Sequence, residues 1–226
     1  HRREQRENFE RIAEVIQMVS VKDLPLLRQV FFYGILGGDT QKEGENMNIT
    51  VYLGANEGNN PALKQAVREL GTWIGESGHD LVYGGSKVGL MGVIAESVLR
   101  AGGKVTGVEP QFFMEKELQY DAVTHLIVTE TMAERKTKMI ELGDAFVAMP
   151  GGTGTLEEIS EVMSLLALDR LEAPCILYNL HGYYDSLQQL LKRMIAADLS
   201  NEYRQRNIYF VKNLDELQKV LDSCLS

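Results

Sequence analysis

Three glycines, two threonines and two glutamates crowd into the stretch Pro150-Gly151-Gly152-Thr153-Gly154-Thr155-Leu156-Glu157-Glu158. The apolar run Ala145 to Met149 precedes it and reads as a buried strand. Thr155 then opens a run in which Leu156, Ile159, Val162, Met163 and Leu166 keep the three- and four-residue spacing of a helix. Glycine lets backbone N–H groups approach a ligand closely, and a helix N-terminus carries unsatisfied N–H groups and a positive dipole end. Together they make a pocket for a small anion, a phosphate above all. On this reading Glu158, in the first turn of the helix, sets a carboxylate beside that phosphate. The same residues also fit a plain tight turn, with Glu157 and Glu158 merely complementing the helix dipole. A second glycine turn, Tyr83-Gly84-Gly85-Ser86-Lys87-Val88-Gly89-Leu90-Met91-Gly92, also follows an apolar strand. Two such turns at the ends of parallel strands face one crevice, where open α/β sheets bind ligands.

Several chemistries are set aside by what is missing. The dinucleotide fingerprint fails because Glu157 stands where its last glycine is needed, and the P-loop fails because Leu90 follows Gly89 in place of Lys. The four histidines, His1, His79, His125 and His181, lie outside the glycine turns and read as surface or turn residues. No metal spacing is present, and neither a metal nor another cofactor is expected. Cys175 and Cys224 are far apart, and Cys175 falls in the apolar run Cys175-Ile176-Leu177-Tyr178, which suits a buried thiol. Met132, Met139, Met149 and Met163 read as core filling. With a formal charge of −9, attraction to nucleic acid or to an anionic membrane is disfavoured. No apolar run is long enough to cross a bilayer and no signal peptide is seen, so a reducing cytoplasmic setting is the expectation.

The elements that must position these residues alternate. Strands are expected at Ile49 to Leu53, Leu81 to Tyr83, Lys104 to Val108, Leu126 to Thr129, Ala145 to Met149, Pro174 to Tyr178 and Ile208 to Val211. Helices are expected from Pro61 to near Gly78, Leu90 to Ala101, Met132 to Leu142, Thr155 to Leu168, Tyr184 to Ala197 and Leu214 to Leu221. Such alternation implies right-handed βαβ units and an α/β, doubly wound, Rossmann-like parallel sheet with helices on both faces. Residues 1–46 differ. Phe9, Ile12, Val15, Ile16 and Val19, then Leu26, Leu27, Val30, Phe31 and Ile35, suggest a helical hairpin closed by Gly37-Gly38 and followed by a polar linker. The division expected is a helical extension over 1–46 and a nucleotide-binding catalytic domain over 47–226.

Three motifs carry a resemblance. Pro150 to Glu158 matches P-G-G-x-G-T-x-x-E at every fixed position, Met132-Ala133-Glu134-Arg135-Lys136 matches M-x-x-R-K, and Gly84 to Gly92 resembles G-G-x-x-x-G-L-M-G. In this order the chain, from about residue 47 onward, resembles the Lonely Guy family of cytokinin riboside 5′-monophosphate phosphoribohydrolases. Members of that family have often been labelled lysine decarboxylases, but nothing in this sequence supports pyridoxal chemistry.

The resemblance implies hydrolysis of the N-glycosidic bond of AMP or an N6-substituted AMP, giving free base and ribose 5-phosphate. It implies Arg135 and Glu158 as the catalytic pair, without metal or redox cofactor. It also implies a nucleotide site drawn from Gly54, Gly84, Gly85, Met91, Lys136, Pro150, Gly151, Gly152, Thr153, Gly154, Thr155 and Glu157. Ser164 falls where the family often has a ligand-contacting threonine, and Glu117 matches another substrate-contacting carboxylate. Asn56 departs from the pattern, standing where a serine is common. The family further implies a homodimer with the site near the subunit boundary. Two other readings of the residues stay open: Arg135 and Lys136 as solvated charges on a helix face, and the whole scaffold as a non-catalytic carrier of a nucleotide or a molybdenum-cofactor-like ligand.

Overall fold

The computed structural model describes residues 46–114 and 119–225. The helical extension expected over residues 1–46 therefore lies outside the described residues, apart from Asn46. The rest forms one seven-stranded sheet, all parallel, in the order β4-β3-β2-β1-β5-β6-β7. Its strands are β1 (Asn48–Tyr52), β2 (Asp80–Tyr83), β3 (Val105–Pro110), β4 (His125–Thr129), β5 (Ala145–Ala148), β6 (Cys175–Tyr178) and β7 (Ile208–Val211). The helices are α1 (Pro61–Glu76), α2 (Gly89–Arg100), α3 (Gln111–Met114), α4 (Met132–Leu142), α5 (Thr153–Ala167), α6 (Asp185–Ala196) and α7 (Leu214–Leu225).

Strand residues sort to the two faces by alternation, as side chains at i and i+2 must. Ile49 and Val51 of β1, with Leu53 just after it, join Val147 and Met149 around β5 in one core, covered by α1, α2 and α7. Tyr52, Phe146, Ala148 and Leu177 point the other way, into a second core under α4, α5 and the start of α6. Burial on both faces is why the strands read as nearly unbroken apolar runs. Cys175 is fully buried, and that burial pushes its thiol up from its ordinary pKa. Among the described residues no helix is long and apolar enough to cross a membrane.

The strand order reverses between β1 and β5, which lie side by side with Tyr52 opposite Ala148. Their C-terminal ends release the loop 53–60 and the turn 149–152 into the same space, at the point where doubly wound sheets leave a crevice. Three local details differ from the expectations. Helix α5 begins at Thr153, because Gly152 is the extended N-cap residue and Thr153 and Gly154 are already helical. Helix α3 follows directly on β3, and two single 3-10 turns, Leu180–Gly182 and Tyr203–Gln205, flank α6. His79 is a turn residue but not a surface one: it is buried, packs edge-on against Trp73 and accepts a hydrogen bond from the Met47 N–H through Nδ1.

Candidate active site

A cavity of about 540 Å3 opens at the strand-order reversal. One wall is the turn and first helical residues from Pro150 to Thr155, together with Glu158. No side chain caps the N-terminus of α5, so its first N–H groups have no partner within the helix and are left for a ligand. Leu63, Met91, Phe113, Met132, Leu180 and Tyr183 supply apolar surface, while Gly54, Asn56, Asn59 and Asn60 line the side formed by the β1–α1 loop.

Arg135, on α4, reaches this cavity from below. Its Nε donates to the Val108 carbonyl at 3.0 Å, and its Nη1 donates to Glu158 Oε1 at 2.6 Å. Both side chains are 9% exposed, so the pair is buried while still touching the cavity. Burial pushes the Glu158 carboxyl above the usual carboxylate range, and the charge and hydrogen bond of Arg135 pull it back down. Because α5 starts at Thr153, Glu158 sits in the second helical turn and not the first. It stands beyond the anion-binding end, one turn deeper along the wall.

Gly84 makes room for this arginine. A Cβ built there would lie 2.3 Å from Arg135 Nη2 and 3.0 Å from Met91 Sδ. Gly89 has φ of +59° and packs so tightly under the first loop that a Cβ would fall 1.5 Å from the Ala55 carbonyl oxygen. The second glycine turn therefore supports the cavity by close backbone approach. Gly84 and Gly85 are both buried behind the wall and do not line it, whereas Met91, one turn into α2, does.

Other expected site residues also fall elsewhere. Lys136 and Glu157 are neighbours of Arg135 and Glu158 on their helices, and successive helical residues diverge by about 100°. They meet each other outside: Lys136 Nζ binds Glu157 Oε1 at 2.6 Å and Glu161 Oε2 at 2.9 Å. Those hydrogen bonds raise the Lys136 pKa. Neither residue lines the cavity. Ser164 lies six residues past Glu158 on α5, on the side that faces α6, and its hydroxyl donates to the Ser160 carbonyl. Glu117 lies outside the described residues. Gly54, Met91, Pro150, Gly151, Gly152, Thr153, Gly154, Thr155, Arg135 and Glu158 are brought together.

Several residues at or beside the site escaped the sequence reading. Met132 is not core filling; as the first residue of α4 it is 37% exposed and faces the cavity. Glu109, at the end of β3, is fully buried with neither carboxylate oxygen hydrogen-bonded, and burial raises its pKa against the opposing charge of Arg135. One guanidinium thus serves two buried carboxyls. Its place in the alternation of a strand covered on both faces was the signal available for its burial. Among the described residues, no cluster of three or more His, Cys, Asp or Glu side chains could hold a metal ion.

Comparison with known proteins places this geometry. The family described as possible lysine decarboxylase matches residues 91–221. A cytokinin riboside 5′-monophosphate phosphoribohydrolase of Rhodococcoides fascians is 43% identical over 169 residues, covering 74% of this chain and 85% of the relative. The cytokinin riboside 5′-monophosphate phosphoribohydrolase LOG1 of Arabidopsis thaliana is 36% identical over 180 residues, covering 80% and 84%. Among solved structures, the molybdenum cofactor binding protein of Rippkaea orientalis superposes with a TM-score of 0.60 at 21% identity, over 80% of this chain and 99% of the other. That last likeness is one of fold.

The electrostatics of the ion pair make a prediction. Replacing Arg135 by Met removes the positive charge that holds both carboxyls down, so the pKa values of Glu158 and Glu109 both move further up. Carboxyl-carbon NMR titration of wild type and variant checks this; unmoved or lowered values would contradict it.

Proposed function

The chain belongs to the Lonely Guy family of cytokinin riboside 5′-monophosphate phosphoribohydrolases, and we propose that its cavity performs that hydrolysis with Arg135 and Glu158 as the catalytic pair. The substrate class is AMP or an N6-substituted AMP. The observation that carries the assignment of residues is the buried Arg135–Glu158 pair in the wall of the same cavity as an uncapped helix N-terminus.

The chemistry follows from that arrangement. The 5′-phosphate takes the N–H groups between Gly151 and Thr155, where backbone dipoles favour an anion. The ribose then extends along α5 to Glu158, and the base meets the apolar wall. As the bond from C1′ to the base nitrogen lengthens, its electron pair leaves with the base and positive charge grows on C1′ and the ring oxygen. The Glu158 carboxylate opposes that charge in a water-poor site, where such stabilisation is strongest. Its Oε1 is held by Arg135, leaving Oε2 to take the proton of the attacking water as the water oxygen bonds to C1′. The departing base takes up one proton on its ring nitrogen from solvent while Glu158 gives back to solvent the proton it took from the water, so the products are free base and ribose 5-phosphate. Arg135 favours the ionised form of the carboxylate against burial and fixes it in direction. A carrier function gains nothing from a buried arginine-held carboxylate one turn past the phosphate end, and only the fold likeness speaks for it.

The same proposal includes a homodimer and a cytoplasmic setting. A groove between α5 and α6, lined by Leu156, Met163, Ala167, Leu187, Leu190 and Met194, leaves Leu156 and Leu190 exposed, which suits a second copy of the chain. Sedimentation equilibrium should give twice the chain mass; a monomer at micromolar concentration would remove this part. The two free cysteines fit a reducing compartment, which cell fractionation checks.

Chromatography of reactions with AMP and with isopentenyladenosine monophosphate tests the activity. Wild type should release base and ribose 5-phosphate, and Glu158→Ala should be slower by at least about 100-fold, the scale of losing one preorganised charge stabiliser. Gly84→Ala should keep the fold, because side-chain ends of Arg135 and Met91 take up the contact, but should lower the melting temperature and lose at least about 10-fold in rate through the displaced guanidinium. Absence of base release from both nucleotides would sink the hydrolase reading for these substrates.

A further inference from the structure

Two consecutive tyrosines hold the phosphate turn through its carbonyl oxygens. Tyr183 and Tyr184 follow the 3-10 turn Leu180–Gly182 between β6 and α6. The Tyr184 hydroxyl donates to the Met149 carbonyl at 2.8 Å, and the Tyr183 hydroxyl donates to the Gly151 carbonyl. The two rings pack edge to face, 4.9 Å between centroids. Behind them, Asn179 Oδ1 accepts the Tyr184 N–H at 2.6 Å while its Nδ2 donates to Asp185 Oδ1 at 2.7 Å. Tyr184 is buried, whereas Tyr183 is 53% exposed and lines the cavity.

The two hydroxyl bonds differ in consequence because of the residue that follows each carbonyl. A trans peptide is planar, so a carbonyl and the next N–H point in opposite directions. The Met149 carbonyl precedes Pro150, which has no N–H. Holding it orients no donor. The Gly151 carbonyl precedes Gly152, the N-cap of α5, which carries an N–H and lines the cavity. A peptide between two glycines meets little intrinsic steric resistance to turning over; the Thr155 side chain packs against Gly151, and the Tyr183 hydroxyl adds a hydrogen bond to that restraint.

We propose that Tyr183 is a positioning residue: by fixing the Gly151–Gly152 peptide, its hydroxyl presets the Gly152 N–H for the substrate's 5′-phosphate and so sets the affinity for phosphorylated ligands. The proposal rests on the placement of the phosphate at this turn. Tyr184, in contrast, holds the fold of the turn without orienting a donor.

Calorimetric titration with ribose 5-phosphate and with adenosine separates these roles. Tyr183→Phe keeps the ring and loses only the hydroxyl. It should bind ribose 5-phosphate about 3- to 10-fold more weakly, the scale of one hydrogen bond, with adenosine affinity and melting temperature unchanged. Tyr184→Phe should lower the melting temperature and leave ribose 5-phosphate affinity as in wild type. Equal ribose 5-phosphate affinity in wild type and Tyr183→Phe would overturn the proposal, as would an equal loss in both variants or a parallel loss of adenosine. Failure of the wild type itself to bind ribose 5-phosphate would remove the phosphate-turn placement along with it.

Discussion

A guanidinium and a carboxylate buried together, Arg135 against Glu158, impose the constraint that the rest of the site answers. Each charge loses water on folding, and leaving either one unpaired in such a place costs about 3–5 kcal/mol. The surrounding structure satisfies the arginine from several sides. The Val108 carbonyl at the end of β3 takes its Nε, Glu158 takes Nη1, and the missing side chain of Gly84 leaves space for Nη2. The glycine turn after β2 thus exists as much for the arginine as for any ligand. Glu109, buried nearby without a hydrogen bond, adds a second carboxyl to the same positive charge.

The sheet supplies the other half of the arrangement. At the reversal between β1 and β5, two chain segments leave neighbouring strand ends in opposite directions. The opening between them takes backbone donors from one side and apolar side chains from the other. A buried carboxylate set beside the phosphate would repel it. On the proposed placement, the one-turn offset along α5 avoids this, with the N–H groups at the phosphate end and Glu158 farther along the wall, beside the sugar.

How much of this was legible in the sequence depended on whether neighbours along the chain are also neighbours in space. The short apolar runs separated by helical spacing led directly to seven parallel strands, since burial on both sheet faces leaves few polar positions to confuse the pattern. Arg135 and Glu158 were legible through their motifs. Lys136 and Glu157 were drawn into the site with them only because a motif is read as a string, whereas a helix turns adjacent residues onto different faces. Ser164, six residues past Glu158, lies on the side of α5 that faces α6. The start of α5 was set two residues late because Thr and Gly are weak helix formers, a preference that tertiary packing at the strand end overrides. Tyr183 carried no local signal, since it meets its partner 32 residues away in the chain, and Glu109 could be read only from its place in a strand covered on both faces.

A crystal structure of the Glu158→Gln variant with AMP bound tests the central claim most directly. The account predicts the phosphate on the N–H groups between Gly151 and Thr155, the ribose C1′ facing the side chain at position 158, and the base against Leu63, Phe113 and Met132. A phosphate bound at Lys136, or a nucleotide reversed so that its base lies on the glycine turn and its sugar far from position 158, would contradict it.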